Sequence, residues 1–146
     1  MKKLLLVCTM FFLGQSAFAQ AWNGKGDQKL QVGFNGWGYG NGITGTYDYG
    51  LGKIVSIGAG ANVYFDGYKD GNKDNNIFFF GRVGFHLQEP LSLPEKWDIY
   101  PGVNLGVLGK DFGFGAHLGV RYFFNNNVGI YGEFGNNGSL GVSFNF

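Results

Sequence analysis

Eight ionisable residues fall on one face of the strands that the sequence predicts, and their side chains carry most of the chemistry available to the chain. They are Lys29, Asp48, Arg82, His86, Asp98, His117, Arg121 and Glu133. We interpret five of them, namely Arg82, His86, His117, Arg121 and Glu133, as an enclosed charge cluster. The short turn before Glu133 should bring it beside His117 and Arg121 on the neighbouring strand. The cluster could conduct protons or ions, but charges in a narrow interior need partners, so we favour a mutually neutralising set that fills it.

A catalytic arrangement can also be written from this face. His117, Glu133 and Ser143 are conceivable as general base, orienting acid and nucleophile. Ser143, however, is predicted near the periplasmic end of a membrane barrel, away from the lipid of the outer leaflet. The inward direction of these side chains also removes them from contact with lipid. We therefore expect no enzymatic activity.

A metal site is suggested only by the loop that contains Asp70, Asn72 and Asp74, which places oxygen ligands at alternate positions. A calcium loop of this kind needs glycine at its sixth position and glutamate at its twelfth. Those positions hold Asn75 and Gly81. The sequence therefore predicts a solvated loop, with no metal and no cofactor.

The first 19 residues have the three parts of a secretory signal peptide. Lys2 and Lys3 precede the short apolar run 4–13, and Ala17-Phe18-Ala19 provides small residues at a cleavage site. The apolar run is shorter than the roughly 20 residues of a spanning helix. We predict cleavage before Gln20, which leaves residues 20–146 as one domain. The chain has 1 cysteine, Cys8 in the leader, so the mature part has no thiol for disulfide, metal or nucleophile.

The remaining chain alternates apolar and polar residues with a period of two, which predicts β-strands. Eight such runs cover approximately 30–35, 43–51, 55–65, 77–87, 99–107, 112–122, 128–134 and 140–146. Most are long enough for a tilted strand to cross a bilayer. Pro101 would forfeit a ladder hydrogen bond in mid-sheet, so we expect it near the start of the fifth strand or at a bulge. The fold class predicted is an all-β, up-and-down, eight-stranded transmembrane barrel.

The direction of the apolar face separates a membrane barrel from a soluble one. A soluble ligand-binding barrel would need a charged exterior, but only 14% of the residues are charged. The polar face consists mainly of Gly, Ser, Asn and Thr, which suit a narrow lumen. Two aromatic belts are also predicted, Phe65, Phe79, Phe112, Phe114 and Phe134 at one membrane boundary and Phe85, Trp97, Tyr122, Phe144 and Phe146 at the other.

The terminal segment Gly141-Val142-Ser143-Phe144-Asn145-Phe146 resembles the C-terminal signal read by the barrel-assembly machinery of bacterial outer membranes. With the leader and eight strands, the chain is similar to the small outer-membrane barrels of the outer-membrane protein A and X type. The resemblance implies a location in the bacterial outer membrane, lipid and the assembly machinery as partners, and no particular activity. A net charge of +1 gives no reason to expect nucleic acid as a partner.

We therefore expect a monomeric structural or accessory outer-membrane protein, with side chains plugging the lumen. A narrow pore for ions or small solutes and a soluble periplasmic ligand-binding barrel remain the alternatives.

Deletion of Phe146 tests the assembly signal. We expect it to lower the yield of folded barrel in the outer membrane more than removal of Asn72, which lies in a predicted loop. Quantitative blotting of outer-membrane fractions measures the yield, and equal yields from both variants would argue against the signal.

Overall fold

Eight antiparallel strands pair in chain order and close on themselves in the computed structural model, which describes residues 20–65 and 76–146. The strands are β1 (Gln28–Trp37), β2 (Gly42–Gly50), β3 (Val55–Tyr64), β4 (Ile77–Phe85), β5 (Trp97–Leu108), β6 (Asp111–Phe123), β7 (Val128–Gly135) and β8 (Gly138–Asn145). Because β1 pairs with both β2 and β8, the sheet has no free edge, and the predicted closed eight-stranded barrel is confirmed.

The proline in β5 is tolerated because of where the neighbouring pairing stops. The register of β4 with β5 ends at the pair of Gly84 and Gly102, and does not extend to Pro101, the residue that precedes Gly102 in the chain. On its other side Pro101 pairs with Leu118 of β6 in regular register, so the suggested bulge is absent at this position. β5 also begins two residues earlier than predicted, at Trp97.

The connections define two ends of the barrel. The terminal end carries the segment 20–27, the C-terminal residue Phe146 and the connections 51–54, 86–96 and 124–127. The loop end carries the connections 38–41, 109–110 and 136–137, and β3 ends and β4 begins there. The longest fully described connection is 86–96, at the terminal end.

Side chains alternate between the lumen and the outer surface along every strand, because successive residues of a strand point to opposite faces of the sheet. In β5, Val103, Leu105 and Val107 are exposed on the outside, while Tyr100 and Leu108 are buried inside. The outer surface is therefore apolar around the barrel.

The aromatic residues predicted to form two belts lie mostly on this outer surface. Phe112 and Phe114 near the loop end are 74% and 67% exposed, and Phe146 at the terminal end is 73% exposed. Tyr122 is only partly exposed, because its ring packs against Trp97 with centroids 4.8 Å apart. Among the residues described, no helix has the length and apolar character needed to cross a membrane.

An arginine on the outer surface tests which face meets lipid. Val103→Arg places a cation near the middle of the apolar band, where it should cost about 2 to 4 kcal/mol of folding free energy in a bilayer. Asn126→Arg, in an exposed turn at the terminal end, is the matched control and should cost less than about 1 kcal/mol. Urea titration of both variants in lipid vesicles, followed by tryptophan fluorescence, measures the difference; equal costs would mean that β5 does not face lipid.

Candidate functional site

All eight ionisable residues with inward parity are buried in the lumen, joined by Asp27 from the segment before β1. Their exposures are Asp27 4%, Lys29 0%, Asp48 2%, Arg82 5%, His86 1%, Asp98 0%, His117 7%, Arg121 0% and Glu133 8%. Because side chains alternate between the two faces of each strand, these residues share the same narrow interior. Uncompensated charges there would be costly, so the arrangement of their partners decides whether the barrel is stable.

Asp48 of β2 is the acceptor on which two arginines converge. Arg82 Nε donates to Asp48 Oδ1 at 2.6 Å, and Arg82 Nη2 donates to Asp48 Oδ2. Arg121 Nη2 donates to Asp48 Oδ2 at 2.9 Å. The planar guanidinium group of Arg82 therefore binds the carboxylate through two donors, the geometry that makes arginine–carboxylate pairs strong and directional.

Arg121 of β6 connects this carboxylate to three further groups. Its Nε donates to Gln31 Oε1, and its Nη1 lies 3.3 Å from Asp98 Oδ2. Its guanidinium carbon also lies 3.9 Å from the centre of the Tyr100 ring, within the range of a cation–π contact. The ring fits because Gly119 stands beside it, where a Cβ atom would collide with Tyr100.

Glu133 lies beside His117 and Arg121 of the neighbouring strand, diagonal to both in the register, but its ion pair is with Arg82 and not with Arg121. Its Oε1 accepts hydrogen bonds from Arg82 Nη1 at 2.7 Å, Tyr100 Oη at 3.0 Å and Gln31 Nε2 at 3.1 Å. In the observed register Glu133 lies opposite Gly119. The prediction considered only the neighbouring strand, whereas the long side chain of Arg82 crosses the narrow lumen from β4.

His86, immediately after β4, is held by hydrogen bonds on both ring nitrogens. Nε2 lies 2.8 Å from Ser56 Oγ, and Nδ1 lies 2.6 Å from Asp98 Oδ2. The connectivity is that of a serine–histidine–aspartate triad. Trp22, however, lies flat on the imidazole at a centroid distance of 3.5 Å, so the group is enclosed. Sequence analysis missed this grouping, because it depends on the register of β3 and β5 against β4, which the strand periodicity does not give.

The segment 20–27 closes the terminal end of the lumen. Trp22 Nε1 donates to the carbonyl of Lys53 at 2.6 Å, and the amide of Ala21 donates to the carbonyl of Glu95 at 2.7 Å. Asp27 forms a fully buried ion pair with Lys29 at 2.5 Å. This cap was not predicted, because the segment has no strand periodicity. The aromatic Trp22 just after the predicted cleavage site was the available signal.

The loop end of the lumen differs from the prediction of small polar residues. Four buried side chains form an apolar cluster there, with Tyr39 packed against it: Tyr64, Phe78, Phe80 and Leu108. The charge network thus occupies the middle and terminal parts of the lumen, and aromatic rings occupy the loop end.

The catalytic set considered from the sequence is not assembled. Among the described residues no hydrogen bond joins His117 to Glu133 or Ser143, and the Oγ of Ser143 and Nδ1 of His117 have no partner. Ser143 pairs with Gln31 and Gly129 towards the terminal end, whereas His117 pairs with Gly135 near the loop end. The set is not assembled because Ser143 and His117 lie at different levels along the barrel axis.

No group of three or more potential metal ligands occurs in the described ranges 20–65 and 76–146. The weak calcium candidate, Asp70, Asn72 and Asp74, lies outside the described residues.

A closed eight-stranded β-barrel with an apolar exterior and an ionic interior defines the class of this protein. The chain belongs to the family DUF6646, a family of unknown function whose model matches residues 11–138. The match gives no support to the resemblance to outer-membrane protein A and X type barrels, and the closed eight-stranded architecture is shown by the structure.

One solved structure, described as a de novo designed transmembrane β-barrel, has the same fold. It aligns with a TM-score of 0.69 at 13% sequence identity, covering 85% of this chain and 98% of the designed one. No curated protein shows significant sequence similarity to the chain.

A double-mutant cycle tests the observed pairing of Glu133. Glu133→Gln and Arg82→Gln should show a coupling energy of about 1 to 3 kcal/mol, because the two side chains form a direct buried ion pair. Glu133→Gln and Arg121→Gln should show a clearly smaller one, because they share only Gln31 and Tyr100. Unfolding by urea in detergent micelles measures each energy. A larger coupling with Arg121 would restore the pairing predicted from the sequence.

Proposed function

We propose that the protein is a structural or accessory β-barrel of a bacterial outer membrane, without enzymatic activity and with a lumen closed to solutes. The observation that carries this proposal is the charge network from Glu133 through Arg82, Asp48 and Arg121 to Asp98, which joins side chains from five strands across the interior.

The outer surface supports insertion into lipid. Large apolar side chains are exposed around the whole barrel, and aromatic residues concentrate towards both of its ends. Such a surface is unfavourable in water, while an outward apolar band with aromatic boundaries is typical of barrels in membranes. The fold shared with the designed transmembrane barrel agrees with this interpretation. We propose that the terminal end, which carries the segment 20–27, faces the periplasm.

Two features argue against the alternative of a narrow pore. The first is the cap, in which Trp22 and Ala21 are 3% and 0% exposed over the terminal end. The second is the chemistry of the network: Arg82 and Arg121 do not lose their protons, so a hydrogen-bonded chain through them does not relay protons. Their ion pairs would have to break before an ion could pass.

The leader supports a proposal about secretion and assembly, and the closed sheet supports one about the oligomeric state. Residues 1–19 would direct secretion and be removed before Gln20, and the barrel-assembly machinery would insert the product. Because the closed barrel offers no strand edge for pairing, we propose a monomer.

Fractionation and conductance measurements test the proposal together. Protein expressed with its leader should be recovered in the outer membrane with Gln20 as its first residue. In planar bilayers the purified barrel should give no resolved single-channel steps, because the network fills the lumen. Fractionation and N-terminal sequencing test location; conductance tests closure.

Trp22→Ala provides the internal comparison for conductance. It removes the cap and leaves the network in place, so it should remain closed. Recovery in the soluble periplasm would contradict membrane insertion, and steady conductance of the wild-type barrel would favour the pore.

A further inference from the structure

One strand of the barrel continues beyond its neighbour at the loop end. β6 pairs with β5 from Asp111 to Tyr122, whereas its pairing with β7 begins only at His117 and Gly135. Every strand of the closed barrel has two neighbours, but residues 111–116 pass the end of β7 and are paired on one side only. We call these residues the β6 extension.

Two residues of the β6 extension direct their backbone groups to its unpaired side. Ala116 identifies that side, because its N–H donates to Asn136 Oδ1 at 2.9 Å and its carbonyl accepts from the amide of Asn136 at 3.4 Å. The N–H and C=O groups of alternate residues point to the same side of a strand, so Phe112 and Phe114 share this direction. Within the described ranges 20–65 and 76–146, no hydrogen bond outside the strand ladders reaches their backbone groups. Both residues therefore present a donor and an acceptor to the surroundings.

A comparable extension at the terminal end is covered by the chain itself. The pairing of β5 with β4 ends at Gly102, but the preceding part of β5 has other partners on that side. The amide of Leu87 donates to the carbonyl of Ile99 at 2.9 Å, and Gln88 Nε2 donates to the carbonyl of Trp97 at 2.9 Å. The connection after β4 thus satisfies β5, while in the described part of the chain only Asn136 takes this role for β6.

The chemistry of the β6 extension determines what can bind there. Backbone donors and acceptors that repeat along the unpaired side of a strand are completed by another extended chain, which adds to the sheet as a strand. On the outer face such a strand meets Phe112 and Phe114, which are 74% and 67% exposed. On the inner face it passes Gly113 and Gly115, which have no side chains. The matching ligand is an extended polypeptide with apolar side chains on one of its faces.

A second copy of the barrel does not provide this strand in the membrane location proposed above. Two copies in one membrane are related by a rotation about the membrane normal, and strands of membrane barrels tilt by about 40° from that direction. The two β6 extensions would then cross at about 80°, twice the tilt, and strands at that angle do not form a ladder. The partner must be a different polypeptide.

We propose that the β6 extension is a docking site for an extended segment of another protein, which pairs with Phe112 and Phe114 as an added antiparallel β-strand. The site lies at the loop end, which the proposed orientation directs away from the periplasm. The contacts themselves involve only β6, so a binding experiment in detergent micelles can fail or succeed independently of the proposed membrane location.

Titration with a synthetic strand tests the site. The probe is the end-capped peptide Lys-Val-Thr-Val-Thr-Val-Lys, whose valines would lie opposite the two phenylalanines in an antiparallel ladder. The matched control is the same peptide with N-methylated valines, which keeps the side chains and removes the donors. In nuclear magnetic resonance spectra of the ¹⁵N-labelled full chain in micelles, the probe should shift the backbone amides of Phe112 and Phe114 saturably. The control peptide should not. The amides of Leu118 and Val120, which lie in the part of β6 that pairs with β7, should not shift with either peptide.

Two variants separate strand pairing from contact with the aromatic rings. Phe114→Pro removes an N–H that points to the unpaired side, so the ladder with β5 is kept and binding should weaken by about tenfold or more. Phe114→Leu keeps the N–H and should bind within about threefold of the unchanged chain. Binding is followed on the amide of Phe112, and retained dispersion of the strand resonances shows that each variant is folded. Phe112→Pro, followed on the amide of Phe114, replaces the first variant if that one does not fold.

Three outcomes would overturn the proposal. Equal shifts with the N-methylated peptide would mean contact with the phenylalanine rings alone. Equal affinity of the proline and leucine variants would mean the same. The absence of saturable shifts at millimolar peptide would mean that the β6 extension does not accept a strand.

Discussion

The carboxylate of Asp48 receives the guanidinium groups of both Arg82 and Arg121, and the interior of the barrel is organised around that contact. Three cationic residues and four carboxylates are buried in and beside the lumen: Lys29, Arg82 and Arg121, and Asp27, Asp48, Asp98 and Glu133. Charges this deeply buried are tolerated only when every one has a partner of opposite sign. Asp48 meets this condition for two arginines from two different strands, so its loss would leave both of them undercompensated.

The network also explains why the neutral groups of the lumen are placed as they are. Gln31 donates to Glu133 through its amide nitrogen and accepts from Arg121 through its amide oxygen, so it satisfies both ions at once. The hydroxyl of Tyr100 donates to Glu133, while its ring faces Arg121. Small residues give these long side chains their space, with Gly119 as the clearest example.

The period of two in the sequence was sufficient to predict the strands, because residue parity decides which side of a sheet a side chain occupies. For the same reason, Lys29, Asp98 and the other charged residues could be placed on one face. Their partners could not be predicted, since pairing across a closed lumen depends on the register of every strand. Glu133 illustrates this limit, because its partner Arg82 comes from β4 and not from the adjacent β6.

The cap could not be predicted from the strand periodicity either, but for a different reason. Residues 20–27 form no strand, and their position depends on single contacts such as the stacking of Trp22 on His86. No periodic signal encodes contacts of this kind.

The free energy of unfolding of Asp48→Asn in detergent micelles tests the central role of the network most directly. The substitution keeps the size of the side chain and removes the charge that two arginines share. We predict a loss of about 3 to 5 kcal/mol, the usual cost of removing one partner from a buried ion pair. Asp111→Asn, at an exposed position of β6, is the matched control and should change stability by less than about 0.5 kcal/mol. If Asp48→Asn were as stable as this control, the network would not be what holds the interior together.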